Sequence, residues 1–84
     1  MNRSEAEKAV KEGVKRWGCE LKKLDITDDE ITIIVKGTQD NLQIGREYNW
    51  QKYSPEQLQI RVSRFCTTYA NGISYHFSWD KSFT

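Results

Sequence analysis

The chain has one histidine, His76, which is the side chain best suited to acid–base chemistry at neutral pH. It lies between Tyr75 and Phe77, on the polar side of an alternating run. A catalytic triad needs a nucleophile, a base and an orienting group that converge, and no spacing in the sequence places such partners around His76. We therefore expect a surface histidine.

A second group of residues that could support chemistry is a set of carboxylates, which divalent metals prefer as ligands. Its members are Asp25, Asp28, Asp29, Glu30 and Asp40. Their spacing does not match a calcium-binding loop, and three of them are consecutive, which favours turn chemistry. The glycines are isolated and form no phosphate-binding loop. The sequence thus predicts no enzyme, no cofactor and no metal.

Cys19 and Cys66 are the two cysteines. They are far apart, lack the paired spacing of zinc ligands, and fall on or next to apolar faces. Buried free thiols are favoured, and a disulfide is the second interpretation. The sequence does not indicate whether they meet in space.

Basic and aromatic residues suggest instead that the protein binds another macromolecule. The candidate interaction residues are Arg46, Trp50, Tyr53, Arg61, Arg64 and Trp79. Arg61 and Arg64 are three residues apart on a predicted helix, so both could contact one phosphate backbone. Trp, Tyr and Arg also dominate the energetic centres of protein interfaces. The alternative for the aromatic residues at the strand ends is that they close the core.

The first element that positions these residues is a predicted amphipathic helix over residues 4–17. Ser4 and Glu7 have the spacing of a capping box, and Gly18 fits the position after the helix. Gly13 inside the helix costs about 1 kcal/mol relative to alanine, which close packing against another helix would justify.

Three strands follow, over 19–27, 31–36 and 42–50, and short turns between them predict an antiparallel meander. Leu21 is out of step with the alternation of its strand, which suggests a bulge or a late start of the strand. In the third strand the larger apolar residues predict the core-facing side, and Gln43, Gly45 and Glu47 then fall on the open side. That core-facing side consists of Leu42, Ile44, Tyr48 and Trp50, together with Arg46.

The second half of the chain reads as a helix followed by a strand. Ser54-Pro55-Glu56-Gln57 is a helix start with a capping box, and Asn71-Gly72 ends the helix. The alternation over 73–79 predicts the last strand. The fold class is therefore α+β, a two-layer sandwich of order α-β-β-β-α-β, with two helices on one face of a four-stranded, mainly antiparallel sheet.

The length of 84 residues and the net charge of +1 suggest one domain, 1–84, without the strong basic excess of a polycation. No apolar run is long enough for a bilayer, and no signal-peptide core follows Met1, so we expect a cytoplasmic protein with no membrane partner. The predicted function is a small non-enzymatic binding module, either for protein–protein interaction, including self-association, or as an inhibitory or regulatory protein. The alternative is a nucleic-acid-binding module that uses residues 46–64.

Overall fold

The computed structural model describes residues 1–16, 18–37, 42–70 and 80–82, with 68–70 and 80–82 described by their backbone alone. The elements are α1 (Arg3–Lys15), β1 (Glu20–Ile26), β2 (Glu30–Lys36), β3 (Leu42–Tyr48), a 3₁₀ turn (Trp50–Lys52), α2 (Pro55–Ala70) and β4 (Asp80–Ser82). Two helices and a three-stranded antiparallel sheet confirm the α+β class.

Helix α1 begins earlier than predicted, because Asn2 and not Ser4 caps it. The backbone N–H of Glu5 donates to Asn2 Oδ1 at 2.8 Å, and the backbone N–H of Asn2 donates to Glu5 Oε1 at 3.0 Å. The predicted box of Ser4 and Glu7 is therefore wrong, although the same type of box is used two residues upstream. Gly18 has a positive φ of 76°, as a residue just beyond a helix often does.

Gly13 lies where α1 crosses α2, as the sequence predicts. A Cβ atom at position 13 would lie 2.8 Å from the carbonyl oxygen of Gln59 and 2.9 Å from Cβ of Val62. These distances are shorter than carbon contacts allow, so only glycine lets the two helix backbones approach this closely.

The first hairpin follows the predicted pattern. β1 and β2 pair antiparallel from Glu20↔Lys36 to Ile26↔Ile31, and the register shifts between Leu21 and Lys23. That shift confirms the predicted bulge.

β3 presents the opposite face to the one predicted. Pairing of Ile31 with Glu47 and of Val35 with Gln43 places these side chains on the same side of the sheet. We call this side the inner face; its buried residues are Ile31, Ile33, Val35, Gln43, Gly45 and Glu47.

The outer face of β3 consists of Leu42, Ile44, Arg46 and Tyr48. Leu42 is 41% exposed and Tyr48 is 54% exposed. The prediction that these residues face the core is wrong, because pairing with the apolar strand β2 decides the register and a shift by one residue exchanges the two faces.

Trp50 is also placed differently from the prediction, since β3 ends at Tyr48. Asn49 adopts a left-handed backbone with φ 55°, which ends the alternation and turns the chain into the 3₁₀ segment. Trp50 is consequently buried at 2% exposure, and its Nε1–H donates to the carbonyl oxygen of Thr27 at 2.7 Å. The indole thereby ties this segment to the turn between β1 and β2.

The start of α2 agrees with the prediction. The backbone N–H of Gln57 donates to Ser54 Oγ at 3.2 Å, and the N–H of Ser54 donates to Gln57 Oε1 at 3.0 Å. The predicted helix stop at 71–72 and the predicted strand at 73–79 lie outside the described residues. β4 pairs in parallel with β3 over Ile44–Arg46.

Candidate interaction site

The structure brings together three of the six candidate interaction residues, Tyr53, Arg61 and Arg64. Trp50 belongs to the core, because it is almost fully buried. Arg46 lies on the outer face of the sheet, where its Nη1 is 3.7 Å from Glu30 Oε1. Trp79 lies outside the described residues.

The three converging residues line a shallow groove of about 200 Å³ on the surface of α2. Its lining residues are Tyr53, Gln57, Ile60, Arg61 and Arg64, and we refer to them as the α2 groove. The four helical members are spaced i, i+3, i+4 and i+7, which places them along one side of a helix. Tyr53 comes from the segment just before α2 and closes one wall.

Arg61 connects the α2 groove to the core of the protein. Its Nη2 lies 3.0 Å from Glu47 Oε1, and the Glu47 side chain is only 5% exposed. Its guanidinium carbon also lies 4.7 Å from the centre of the Tyr53 ring, within the range of a cation–π contact. Arg61 thus neutralises a buried carboxylate while its own side chain remains about one-third exposed, at 32%.

A second cation reaches the same ring. Nζ of Lys52 lies 5.1 Å from the centre of the Tyr53 ring, and Lys52 itself is exposed. The backbone N–H of Tyr53 donates to the carbonyl oxygen of Trp50 at 3.2 Å, so the ring is held by the end of the 3₁₀ turn. Two cationic side chains therefore contact the ring of this wall, Lys52 and the Arg61 that is paired with Glu47.

Ile60 is a member of the α2 groove that sequence reasoning did not identify. It is 47% exposed, although isoleucine is among the residues most often buried. A signal for it exists in the sequence. Leu58, Val62 and Phe65 form the buried stripe of α2, and Ile60 lies off that stripe.

A second hollow, of about 260 Å³, lies between α1 and the start of α2. It is lined by Glu5, Lys8, Ala9, Glu12, Pro55, Glu56 and Gln59. Four of these seven side chains are charged and none is aromatic, so the hollow lacks the residue types that anchor protein interfaces.

The acidic turn between β1 and β2 has a structural role. Asp28 accepts from Arg3 Nη2 at 2.7 Å, and the carbonyl oxygen of Asp29 accepts from the Asn49 N–H at 2.9 Å. Thr27 Oγ1 accepts the Glu30 N–H at 3.1 Å, which closes the turn. Within the described part of the chain, no group of three or more His, Cys, Asp or Glu residues is arranged to hold a metal ion. His76 and Asp40 lie outside that part.

None of the helices that the structure describes combines the length and the apolar character needed to cross a membrane. Comparisons with protein-family models, with curated proteins and with solved structures find no match to this chain.

Proposed function

We propose that this protein is a small binding module that acts without catalysis and recognises a protein partner through the α2 groove. The observation that carries the proposal is the exposed Ile60 between Tyr53 and Arg64. An aliphatic side chain surrounded by aromatic and arginine side chains has the composition of the energetic centre of a protein interface.

The same groove suits a protein better than a nucleic acid. Ile60 in its lining offers nothing to a phosphate, whereas it can be covered by an apolar side chain of a protein. Arg61 is engaged with Glu47 at 3.0 Å, which reduces the positive charge available to an external phosphate. The net charge of +1 also provides little long-range attraction for a polyanion.

The proposal includes the complete two-layer arrangement predicted from the sequence. In it, two helices pack on one face of a four-stranded sheet. The sequence does not indicate which edge the fourth strand joins, and we propose the edge formed by β3. Support comes from the Gly13 contact, which joins α1 to α2, and from Arg61, which reaches Glu47 on the inner face. The parallel pairing of Asp80–Ser82 with β3 supports the fourth strand. The α2 groove then lies on the outside of the helical layer.

Affinity capture from an extract of the native host, followed by binding measurements with the purified partner, tests this function. Ile60→Asp places a charge at the centre of the groove and should weaken binding at least tenfold, about 1.4 kcal/mol or more. Arg64→Glu should weaken it as well. Circular dichroism before each measurement verifies that the variants are folded.

Leu42→Asp is the matched control, because Leu42 is exposed to a similar degree but lies on the outer face of the sheet. Binding that survives Leu42→Asp and is lost with Ile60→Asp supports the α2 groove. The reverse pattern would place the partner on the outer face and overturn the proposed site. Sedimentation of the wild type over a dilution series identifies the case in which the partner is a second copy.

Nucleic-acid binding is the second candidate, favoured by the two cations that face the Tyr53 ring, Lys52 at 5.1 Å and Arg61 at 4.7 Å. A nucleic acid whose base stacks on this aromatic residue would bring its phosphates near these two cations. Retention on single-stranded DNA that falls steeply with salt, and that is lost with Tyr53→Ala, is the expected result for this alternative. Flow-through at low salt would eliminate it.

A further inference from the structure

The two cysteines, 47 positions apart in sequence, meet in the interior of the protein. The Cys19 thiol donates to the carbonyl oxygen of Cys66, with Sγ 3.8 Å from that oxygen, and the two thiols are close enough for each to shift the pKa of the other. Both are free cysteines. The contact joins the residue before β1 to the later part of α2, which sequence separation alone gave no reason to expect.

We propose that Cys19 and Cys66 form an oxidation site that is converted to an intramolecular disulfide by two-electron oxidants of the peroxide class. The inference does not rest on the proposed binding function. Because Cys19 Sγ already lies against the backbone of Cys66, a local movement is enough to bring the two sulfur atoms together. Gly18, whose φ is 76°, immediately precedes Cys19, and a glycine can absorb such a backbone movement.

Cys19 is the sulfur that reacts first. It is 8% exposed whereas Cys66 is fully buried, so an oxidant from solvent reaches Cys19 more readily. The hydrogen bond from the Cys66 thiol lowers the pKa of Cys19, which favours the nucleophilic thiolate. The same hydrogen bond, together with burial, raises the pKa of Cys66, so Cys66 remains a thiol until Cys19 has been oxidised.

The chemistry balances in two steps. The Cys19 thiolate attacks one oxygen of hydrogen peroxide, forming an S–O bond, breaking the O–O bond and giving a sulfenic acid and hydroxide. The Cys66 sulfur then attacks Cys19 Sγ, forming the S–S bond and breaking the S–O bond. The Cys66 proton and the released hydroxide leave as one water molecule. Overall, two thiols and one peroxide give one disulfide and two water molecules.

The disulfide would fasten α2 to the start of β1 and close a loop whose ends are 47 residues apart. A cross-link over a loop of this size removes much conformational entropy from the unfolded chain. We expect the melting temperature to rise by roughly 10 °C on oxidation and to return on reduction.

The test treats the purified full chain with hydrogen peroxide in native buffer, denatures it, and alkylates the remaining thiols. The expected product takes up no alkylating agent, has lost two hydrogen atoms by mass, and runs as a monomer on a non-reducing gel. Proteolysis then yields one linked pair of peptides that contains Cys19 and Cys66. Dithiothreitol reverses all of these changes.

Cys66→Ser and Cys19→Ser provide the controls. With Cys66→Ser, Cys19 should instead accumulate as a sulfenic acid that dimedone traps, and with Cys19→Ser, Cys66 should stay unmodified. Two alkylated thiols in peroxide-treated wild type, or disulfides that join separate chains, would overturn the proposal. Peptide mapping of wild type alone decides the question if either variant fails to fold.

Discussion

Strands β2 and β3 each place three residues on the inner face of the sheet, and the two sets have opposite chemistry. β2 contributes Ile31, Ile33 and Val35, while β3 contributes Gln43, Gly45 and Glu47. All of these residues are buried, although one set is apolar and the other is mostly polar. Burial of a β3 residue is therefore set by register with its neighbour and not by its own hydrophobicity.

The two sets are also stabilised differently. The apolar set of β2 gains free energy simply by leaving water. The polar set of β3 gains it only where partners compensate for lost hydration, as Arg61 does for Glu47. Neither the Gln43 oxygen nor its nitrogen has a hydrogen-bond partner among the described residues. Substitutions in the apolar set, in the charged pair and at Gln43 should therefore change the free energy of unfolding by different amounts and in different directions.

The largest effect is expected from the apolar set. Ile33→Ala removes a fully buried side chain and leaves a cavity, so the free energy of unfolding should fall by about 3 kcal/mol in urea denaturation. Ile34→Ala, the next residue of the same strand but on the outer face, is the matched control and should cost about 1 kcal/mol. Equal losses from the two variants would mean that both faces of β2 are equally covered.

The second effect concerns the charged pair. Arg61→Met leaves Glu47 buried without its cation, which should lower the free energy of unfolding by about 2 kcal/mol, less than for a fully buried pair because Arg61 is partly exposed. Arg64→Met, one turn further along α2, is the exposed comparison and should cost less than Arg61→Met, because contacts of exposed charged side chains contribute little to stability.

A double variant sharpens this prediction. Glu47→Met with Arg61→Met should recover most of the stability lost by Arg61→Met alone, because no buried charge remains. A double variant as unstable as the sum of the two single ones would show that packing, and not charge compensation, dominates at this position.

The smallest predicted change in the free energy of unfolding is an increase, opposite to the two losses above. Gln43→Met replaces a buried amide by an apolar side chain of similar size, so the free energy of unfolding should rise by about 1 kcal/mol. Gln51→Met is the comparison, because the Gln51 amide donates to the carbonyl oxygen of Asp28 and its loss should be neutral or unfavourable. A decrease in stability for Gln43→Met would contradict the inference that its amide is buried without compensation.

Features that depend on residues close together in the sequence could be predicted. The cap of α2 uses Ser54 and Gln57, the bulge follows Leu21, and Gly13 lies at a helix crossing, because each depends on local geometry or on one conspicuous residue. The cap of α1 was misplaced because Asn2 and Ser4 both begin a pattern that fits a capping box.

Features that depend on pairing between distant segments could not be predicted in this way. Alternation in β3 shows two faces but not which one meets the core, and that choice comes from pairing with β2. Trp50 does not lie on the predicted face because Asn49 takes a left-handed conformation. The residues around Asn49 in the sequence do not indicate that conformation. In the candidate site, Tyr53, Arg61 and Arg64 were identified by residue type, whereas Ile60 was missed because exposed aliphatic residues are common.

The pairing of Arg61 with a buried carboxylate limits which substitutions the α2 groove can accept. A substitution at Arg61 alters a wall of the α2 groove and at the same time strands Glu47 in the interior. A change at the exposed Ile60 strands no charge in the core, so new partner preferences can arise there by a single substitution. A change at position 61 that keeps the core stable instead requires a companion change at position 47, so this wall of the groove and the interior can be altered only together.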